Sequence, residues 1–167
     1  FPNLRLIENQ NNVGRIQNWN VCLKNCNSKY MTFLFINDLI SKRNNIHQIL
    51  EILDADDSIS LSLSPVIKKE NDSEYLKRKY FDSPVKCSSK KISEYSIKRG
   101  LFPFGFIESN IYRVEDIKNT GSYFLDDFPF NADEIFSYSQ VIMRKYVLFN
   151  HQPQIEWLIV EDRTFGL

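Results

Sequence analysis

Asn37 and Asp38 are the residues of this sequence best placed to do chemistry, because they directly follow the apolar run 31–36 (MTFLFI). Such a run is typical of a strand buried on both faces of a parallel sheet. Ligands of open α/β sheets lie beyond the carboxyl ends of such strands, where a carboxylate can hold a divalent cation and, through it, a diphosphate. The alternative is that Asn37 and Asp38 only form a turn or cap the next helix, and spacing alone favours this alternative.

The cysteines and histidines form no ligand pattern. Cys22, Cys26 and Cys87 are odd in number and include no close CxxC pair, so neither a disulfide framework nor a four-ligand zinc site is predicted, and a reducing compartment fits. His47 and His151 are isolated from each other. Of the two, His151 follows a predicted strand and could approach a metal or a diphosphate.

Two acidic pairs and two arginines are weaker candidates. Asp56-Asp57 falls between a predicted helix and the start of a strand, which indicates a turn. Asp126-Asp127 lies in a predicted loop that could shape an acceptor site, although a purely structural role is favoured. Arg113 and Arg163 could neutralise a diphosphate, with ion pairs at the surface as an equal alternative.

Composition excludes several classes of protein. The chain has 167 residues, enough for one domain, and 43% hydrophobic and 14% aromatic residues exclude a disordered or low-complexity chain. Twenty-one Lys and Arg balance 21 Asp and Glu, so no nucleic acid partner is predicted. No apolar run approaches the ~20 residues of a membrane span, and the start lacks both Met and a signal pattern. We therefore expect a piece of a longer protein.

The elements around Asn37 and Asp38 predict a βαβ unit. The run 4–7 (LRLI) predicts a strand, Val13 and Gly14 a helix entry, and apolar residues at three- and four-residue spacing from Ile16 to Cys26 a helix. The run 31–36 is then the second strand. Strand, helix and strand within about 35 residues are typical of this unit.

The rest of the chain continues the alternation of helices and strands, without an internal repeat or an interdomain linker. Apolar spacing from Ile46 to Leu53 predicts a helix, and alternation over 59–64 predicts a half-exposed strand. The remaining predictions are short helices at 72–80 and 90–98, a strand at 107–114, helices at 114–119 and 131–143, and strands at 145–150 and 155–160.

An ordered series of motifs occupies the first part of the chain: 8–14 (ENQNNVG), 18–20 (NWN), 22–23 (CL), 28–30 (SKY) and 33–40 (FLFINDLI). The series resembles the family two glycosyltransferases of GT-A fold, with their Asn-x-Gly loop, Asn-rich helix, "G-E-Y-(I/V)" strand entry and acidic DxD-type motif. At pattern level the resemblance extends to 105–113, 131–134 and 163–166.

The resemblance implies a fold class. The expected fold is α/β, GT-A-like and Rossmann-like, with a mostly parallel sheet flanked by helices and residues 1–167 forming a single partial domain. Because 4–7 matches a later strand of that plan, the domain is expected to be truncated at its amino end by about 60 residues, which would include much of the nucleotide-base pocket.

The resemblance also implies an activity, the transfer of a sugar from a nucleotide-sugar donor to an acceptor hydroxyl with inversion at the anomeric carbon. Asp38 matches the carboxylate that binds Mg²⁺ or Mn²⁺, and Asn37 matches the neighbouring position that faces the ribose or sugar. Gly14 and Asn18 match donor-binding positions near the base and diphosphate. Phe35 and Asn37 depart from the pattern, because both replace acidic residues.

For the general base, Asp133 best matches the family's acidic residue at the start of a later helix, with Glu134 as the substitute. Such a group takes the proton of the acceptor hydroxyl. The structural alternative is that both carboxylates only complement the dipole of the helix in its first turn.

The implied partners are a nucleotide-sugar donor and a glycan or glycolipid acceptor, in the synthesis of a polysaccharide or another glycoconjugate. The implied location is cytoplasmic, with peripheral association at the inner face of the membrane.

A rival interpretation is a catalytically silent glycosyltransferase-like fragment that serves as a binding module, supported by the substitutions in the acidic motif and the expected truncation. A non-enzymatic carbohydrate-binding module is a third and weaker interpretation.

Overall fold

The computed structural model describes residues 3–70, 73–100, 104, 106–121 and 123–159. The predictions that concern Gly105, Arg163 and the segment 163–166 lie outside these residues. The described chain contains two β-sheets and five α-helices, together with one 3-10 helix at Ile107–Ser109.

The helices and strands alternate along the chain. The helices are α1 (Gly14–Asn25), α2 (Ile46–Ala55), α3 (Ser89–Arg99), α4 (Val114–Thr120) and α5 (Ala132–Val141). The strands are β1 (Tyr30–Met31), β2 (Asp38–Ile40), β3 (Ile59–Leu63), β4 (Val66–Glu70), β5 (Ser73–Lys77), β6 (Val85–Ser88), β7 (Ile111–Arg113), β8 (Tyr146–Phe149) and β9 (Ile155–Ile159).

The larger sheet has the strand order β1-β7-β3-β8-β6, with β3 at its centre. One hydrophobic cluster joins this sheet to Phe136 and Val141 of α5, and a second joins it to Ile49 and Leu53 of α2. Every residue of β3 is buried as a result. The prediction of a half-exposed strand at 59–64 is therefore wrong, because its serines are buried as well as its apolar residues, and Ser60 donates to the Val141 carbonyl of α5.

The smaller sheet has the strand order β2-β9-β4-β5. Both sheets are mixed: β3 pairs parallel with β8 and β4 pairs parallel with β9, whereas the other pairings within the described residues are antiparallel. The predicted α/β class is confirmed, but both sheets contain more antiparallel pairs than the mostly parallel sheet that was expected. Of the described antiparallel pairs, only β4 and β5 form a hairpin, and the others bring together strands that are far apart in sequence.

The run 31–36 differs most from its prediction. Only Tyr30–Met31 is a strand, and the side chains then alternate, with Phe33 buried while Leu34 and Ile36 are 53% and 99% exposed. No described strand covers the outward face of this segment. The segment 4–7 is likewise not a strand, and Leu6 is 87% exposed.

The helix predictions for 16–26, 46–53, 90–98, 114–119 and 131–143 are confirmed by α1 to α5. The helix predicted at 72–80 is wrong, because Ser73–Lys77 forms β5 and pairs in antiparallel register with all of β4. The ladder of backbone hydrogen bonds to β4 overrides the weak local helical pattern. Within the described residues, no helix combines the length and apolar character that crossing a bilayer requires.

Candidate functional site

A tight turn places Asp38 at the start of β2. The Asp38 backbone N–H donates to the Phe35 carbonyl at 2.9 Å, and the Phe35 N–H donates to Asp38 Oδ2 at 3.1 Å. Ile36 lies at the exposed tip of this turn, next to Asn37. The turn predicted as the structural alternative is therefore present, and the same carboxylate is only 8% exposed.

A cavity of about 460 Å³ opens beside this turn. Its lining combines aromatic faces with a few polar groups, as is usual for small-molecule sites. The residues that line it are Arg15, Trp19, Phe35, Ile36, Asn37, Asp38, Glu108 and Trp157. Two of the predicted donor-binding residues, Asn37 and Asp38, are thus brought together in one cavity.

The other two predicted donor-binding residues, Gly14 and Asn18, line a second cavity of about 260 Å³ at the start of α1. Arg15 lines both cavities, so they adjoin. Gly14 has φ +76°, a conformation that favours glycine, and its N–H donates to Asn12 Oδ1 at 3.0 Å. Asn18 accepts a hydrogen bond from Asn9 Nδ2 at 2.8 Å, which ties the loop to the helix.

Aromatic contacts and hydrogen bonds hold α1 against the cavity. Trp19 stacks on Phe35 with 5.3 Å between ring centroids, and the Arg15 guanidinium lies 5.2 Å from the centre of the Trp19 ring. Asn20 exchanges hydrogen bonds of 3.0 and 2.9 Å with the backbone of Phe124. Asp126 accepts a hydrogen bond from Gln17, which indicates a structural role for this loop acid.

Glu108 faces the cavity from the 3-10 helix and is 8% exposed. The turn before it is fixed by hydrogen bonds from the Ser109 N–H and hydroxyl to the Phe106 carbonyl, at 2.9 and 2.8 Å. Burial, with smaller contributions from the charges of Asp38 and Asp133, raises the pKa of the Glu108 carboxyl to about 7. The carboxyl groups of Asp38 and Asp133 are therefore close enough for their charges to act on Glu108.

Asp133 and Glu134 occupy the first turn of α5, and the structure distinguishes them. Glu134 accepts a hydrogen bond from Asn131 Nδ2 at 3.2 Å, and its Oε1 lies 3.8 Å from Arg78 Nη2. Asp133 is half-buried, and its charge affects the titration of Glu108. Within the described residues, no side chain forms a hydrogen bond or ion pair with the Asp133 carboxylate.

A buried network fixes α5 relative to the 3-10 helix. Asn110 Nδ2 donates to the Tyr112 hydroxyl at 3.0 Å, and that hydroxyl lies 2.8 Å from Ser137 Oγ on α5. Burial raises the pKa of Tyr112 well above its usual range, so this phenol stays neutral. The network therefore fixes the two elements that carry Asp133 and Glu108, and its phenol does not ionise near neutral pH.

The donor set around Asp38 fits a hard cation that is bound together with a diphosphate. Asp38 supplies a carboxylate and Asn37 an amide in the same cavity, and Mg²⁺ commonly uses one or two carboxylates with substrate phosphate oxygens and water. Within the described residues, no cluster of three or more His, Cys, Asp or Glu side chains is arranged to hold a metal ion. The set therefore fits an ion completed by ligand oxygens better than an all-protein cage.

The weaker candidates have structural surroundings. Arg113 is buried and donates to the carbonyls of Ile59, Leu53 and Asp56. Its Nη1 also lies 3.5 Å from the exposed Asp57 carboxylate, so the predicted ion-pair alternative is present. Asp56 pairs with Lys86, and hydrogen bonds from Lys86 and Ser58 lower the pKa of Asp56 to about 2. The predicted turn at Asp56-Asp57 is confirmed.

The histidines do not join the cavities. His47 is exposed on α2, and His151 is half-buried, with an Nδ1 that has no hydrogen-bond partner in the described part of the chain. The charge of His151 contributes to the lowered pKa of the exposed Asp82. Neither histidine lines the two cavities beside α1.

Sequence reasoning missed Glu108, Arg15 and Trp157. The one usable signal for Glu108 was a lone carboxylate within the aromatic and apolar stretch from Phe104 to Tyr112. Trp157 reaches the cavity only because β9 pairs with β2, in a register that sets it opposite Asp38. That pairing joins residues far apart in sequence and leaves no local pattern.

Comparison with solved structures relates this geometry to known proteins. S. aureus TarS 1-349 in complex with UDP-GlcNAc is similar to the chain with a TM-score of 0.65 and 15% identity, over 85% of this chain and 38% of that one. S. aureus TarS 1-349 alone gives a TM-score of 0.68 and 15% identity, over 89% and 41%. The chain has a glycosyltransferase-like fold.

The similarity is one of fold, since the identity is low. The chain spans about two fifths of the length of these TarS structures. No protein-family model and no curated protein sequence matches the chain.

Proposed function

We propose that this chain belongs to a transferase that moves a sugar from a nucleotide-sugar donor to an acceptor hydroxyl with inversion. One observation carries the proposal: Asn37 and Asp38 line a cavity that adjoins the Gly14 and Asn18 cavity through Arg15. These are the four residues that the GT-A resemblance assigns to the donor. The similarity of the fold to TarS, solved with UDP-GlcNAc and with UDP, supports this choice of donor class.

In this proposal Asp38 holds Mg²⁺ or Mn²⁺, with the Asn37 amide turned toward the ribose or sugar. A bound ion would supply charge neutralisation for the departing diphosphate. Arg15, shared by the two cavities, adds a permanent positive charge for the same oxygens. The turn bond from the Phe35 N–H orients the Asp38 carboxylate before any ligand arrives.

Asp133 is the proposed general base. It takes the proton of the acceptor hydroxyl while that oxygen bonds to the anomeric carbon from the side opposite the diphosphate. The bond between the anomeric carbon and the diphosphate oxygen breaks, and its electron pair leaves with the diphosphate, so the configuration inverts. Glu134 is less suited to this role, because its oxygens already face Arg78 and Asn131.

The proposed acceptor is a glycan or glycolipid in polysaccharide or glycoconjugate synthesis, at the cytoplasmic face of a membrane to which the protein binds peripherally. A catalytically silent binding module is the second candidate. It is favoured because the chain covers only about two fifths of the length of the TarS structures. Both candidates bind a nucleotide, and only the first transfers a sugar.

The test combines calorimetry with a donor screen. UDP, GDP and dTDP, and sugars linked to each, are titrated with and without Mn²⁺, and the release of free nucleotide from each donor is measured with water as acceptor. Asp38→Asn should weaken Mn²⁺-dependent nucleotide binding by about tenfold or more. Asp57→Asn, at an 84% exposed carboxylate, is the matched control.

Asp133→Asn should leave nucleotide affinity unchanged and slow nucleotide release by about 10²- to 10⁴-fold, with a smaller effect of Glu134→Gln. Unchanged affinity in Asp38→Asn would overturn the metal assignment. Binding without release in the wild-type chain would favour the silent module.

A further inference from the structure

The cavity of about 460 Å³ has two chemically different walls. Trp157, Trp19 and Phe35 supply aromatic faces, whereas Glu108 and Asn37 supply groups that form hydrogen bonds. A pyranose ring has the complementary form, with an apolar face of C–H groups and an edge of hydroxyl groups. The volume is within the range usual for small-molecule sites.

Within the described residues, no other residue donates a hydrogen bond to the buried Glu108 carboxyl. Glu108 is 8% exposed, and within the described residues the only hydrogen bond to its carboxyl comes from its own backbone N–H. A carboxylate has several lone pairs, so the Glu108 oxygens can accept further hydrogen bonds from hydroxyl groups of a ligand.

A strained backbone conformation precedes Glu108. Phe106, two residues earlier, has φ +63°, and Arg78 has φ +61°; within the described residues they are the only non-glycine residues with positive φ. The two are in contact, since the Arg78 guanidinium lies 4.1 Å from the centre of the Phe106 ring. Phe106 in turn lies 5.7 Å from Trp157, measured between ring centroids. Strain of this kind persists where the surrounding structure fixes a site.

We propose that Glu108 and Trp157 form a subsite for a sugar ring, in which the indole packs against the ring face and the Glu108 carboxyl binds two of its hydroxyl groups. The subsite rests on the proposed function, because the sugar is that of the donor or of the acceptor, and both present the same hydroxyl chemistry. Phe106 positions this wall through its tilted ring contact with Trp157, and Arg78 packs on the Phe106 ring.

The experiment measures two kinds of binding to the 167-residue chain. Calorimetry gives the affinities for UDP and for UDP-GlcNAc, and saturation-transfer NMR detects free N-acetylglucosamine and glucose at millimolar concentration. The variants are Glu108→Leu, which fills the same space without hydrogen bonds, and Glu108→Gln, which keeps them. Glu51→Gln, at an exposed glutamate of α2, is the control. Circular dichroism and thermal melting confirm that each variant folds.

For a donor subsite, Glu108→Leu should lower the affinity for UDP-GlcNAc by about five- to tenfold while UDP affinity stays constant, and Glu108→Gln should restore most of the loss. For an acceptor subsite, Glu108→Leu should abolish the NMR signal of the free sugar while both nucleotide affinities stay constant. Either result supports the subsite and names its source.

The subsite is overturned if folded Glu108→Leu matches the wild type for UDP-GlcNAc and for the free sugars, or if the wild type gives no sugar signal and no difference between UDP and UDP-GlcNAc. The proposed function fails separately. Sugar signals that depend on Glu108, without any nucleotide binding, would support the subsite and reject the transferase. UDP binding without any sugar recognition would keep the nucleotide site and reject the subsite.

Discussion

Glu108 shows how strongly the surroundings of one side chain change its chemistry. In an unfolded chain its carboxyl titrates near the ordinary value of 4.5, whereas burial raises the pKa in the folded protein to about 7. Between these two pH values the unfolded chain releases a proton that the folded chain retains. The free energy of unfolding therefore falls as pH rises through this window, by on the order of 3 kcal/mol at most.

Glu108→Gln removes this titration. We expect the melting temperatures of the variant and the wild type to be close at pH 4.5, and the variant to melt higher at pH 8, because the wild type must then hold a buried charge. Thermal melting of metal-free protein at the two pH values measures the difference. For Glu51→Gln, the melting temperature should differ from that of the wild type by the same small amount at both pH values. A melting-temperature difference for Glu108→Gln that does not change with pH would contradict the assigned pKa.

Arg113 acts at the scale of secondary-structure elements. Its guanidinium donates to the carbonyls of Leu53 and Asp56 at the end of α2 and to the carbonyl of Ile59 at the start of β3. Its Nη1 also donates to the Tyr30 hydroxyl at 3.1 Å. One side chain thus joins α2, β3 and β1 from β7. Its buried position leaves no water to replace these bonds.

Arg113→Met keeps the apolar stem and leaves several buried carbonyls without donors. We expect a loss of about 2–5 kcal/mol in the free energy of unfolding, measured by urea denaturation. Arg99→Met, at an exposed arginine on α3, should change it by less than about 0.5 kcal/mol. Equal effects of the two substitutions would show that the carbonyl contacts do not stabilise the fold.

At the scale of the whole molecule, the candidate site depends on both sheets. Asp38 and Trp157 belong to the smaller sheet, through β2 and β9, whereas the larger sheet and its helices position Glu108 and Asp133. The only two tryptophans of the sequence, Trp19 and Trp157, line the same cavity. A ligand in this cavity would therefore contact both fluorophores.

UDP-GlcNAc should change the intrinsic tryptophan fluorescence, with a midpoint equal to the calorimetric Kd. Trp19→Phe and Trp157→Phe should each remove part of the change, because each leaves one indole at the cavity. At a concentration of 100 times Kd, the ligand should also stabilise the fold by about 2.7 kcal/mol. Calorimetric binding with no fluorescence change would place the ligand outside the cavity.

Local patterns determined the helices, because apolar residues at three- and four-residue spacing bury one helical face in any context. They also determined the position of Asn37 and Asp38 after an apolar run. The burial of 31–36 was not predictable, since alternating exposure depends on which strand lies alongside, and Leu34 and Ile36 meet none among the described residues. The burial of the β3 serines depends in the same way on distant elements, since Ser60 donates to the Val141 carbonyl of α5.

The sequence by itself determined that this is an α/β protein with a polar pair, Asn37 and Asp38, at the end of an apolar run. Only the tertiary structure decided that Glu108 and Trp157 face that pair, and that Arg78 lies beside Glu134 while no described side chain pairs with Asp133. The reason is physical. Helix formation depends on neighbours a few residues apart, whereas a cavity and the pKa of a buried carboxyl depend on groups that sheet pairing brings together from distant parts of the chain.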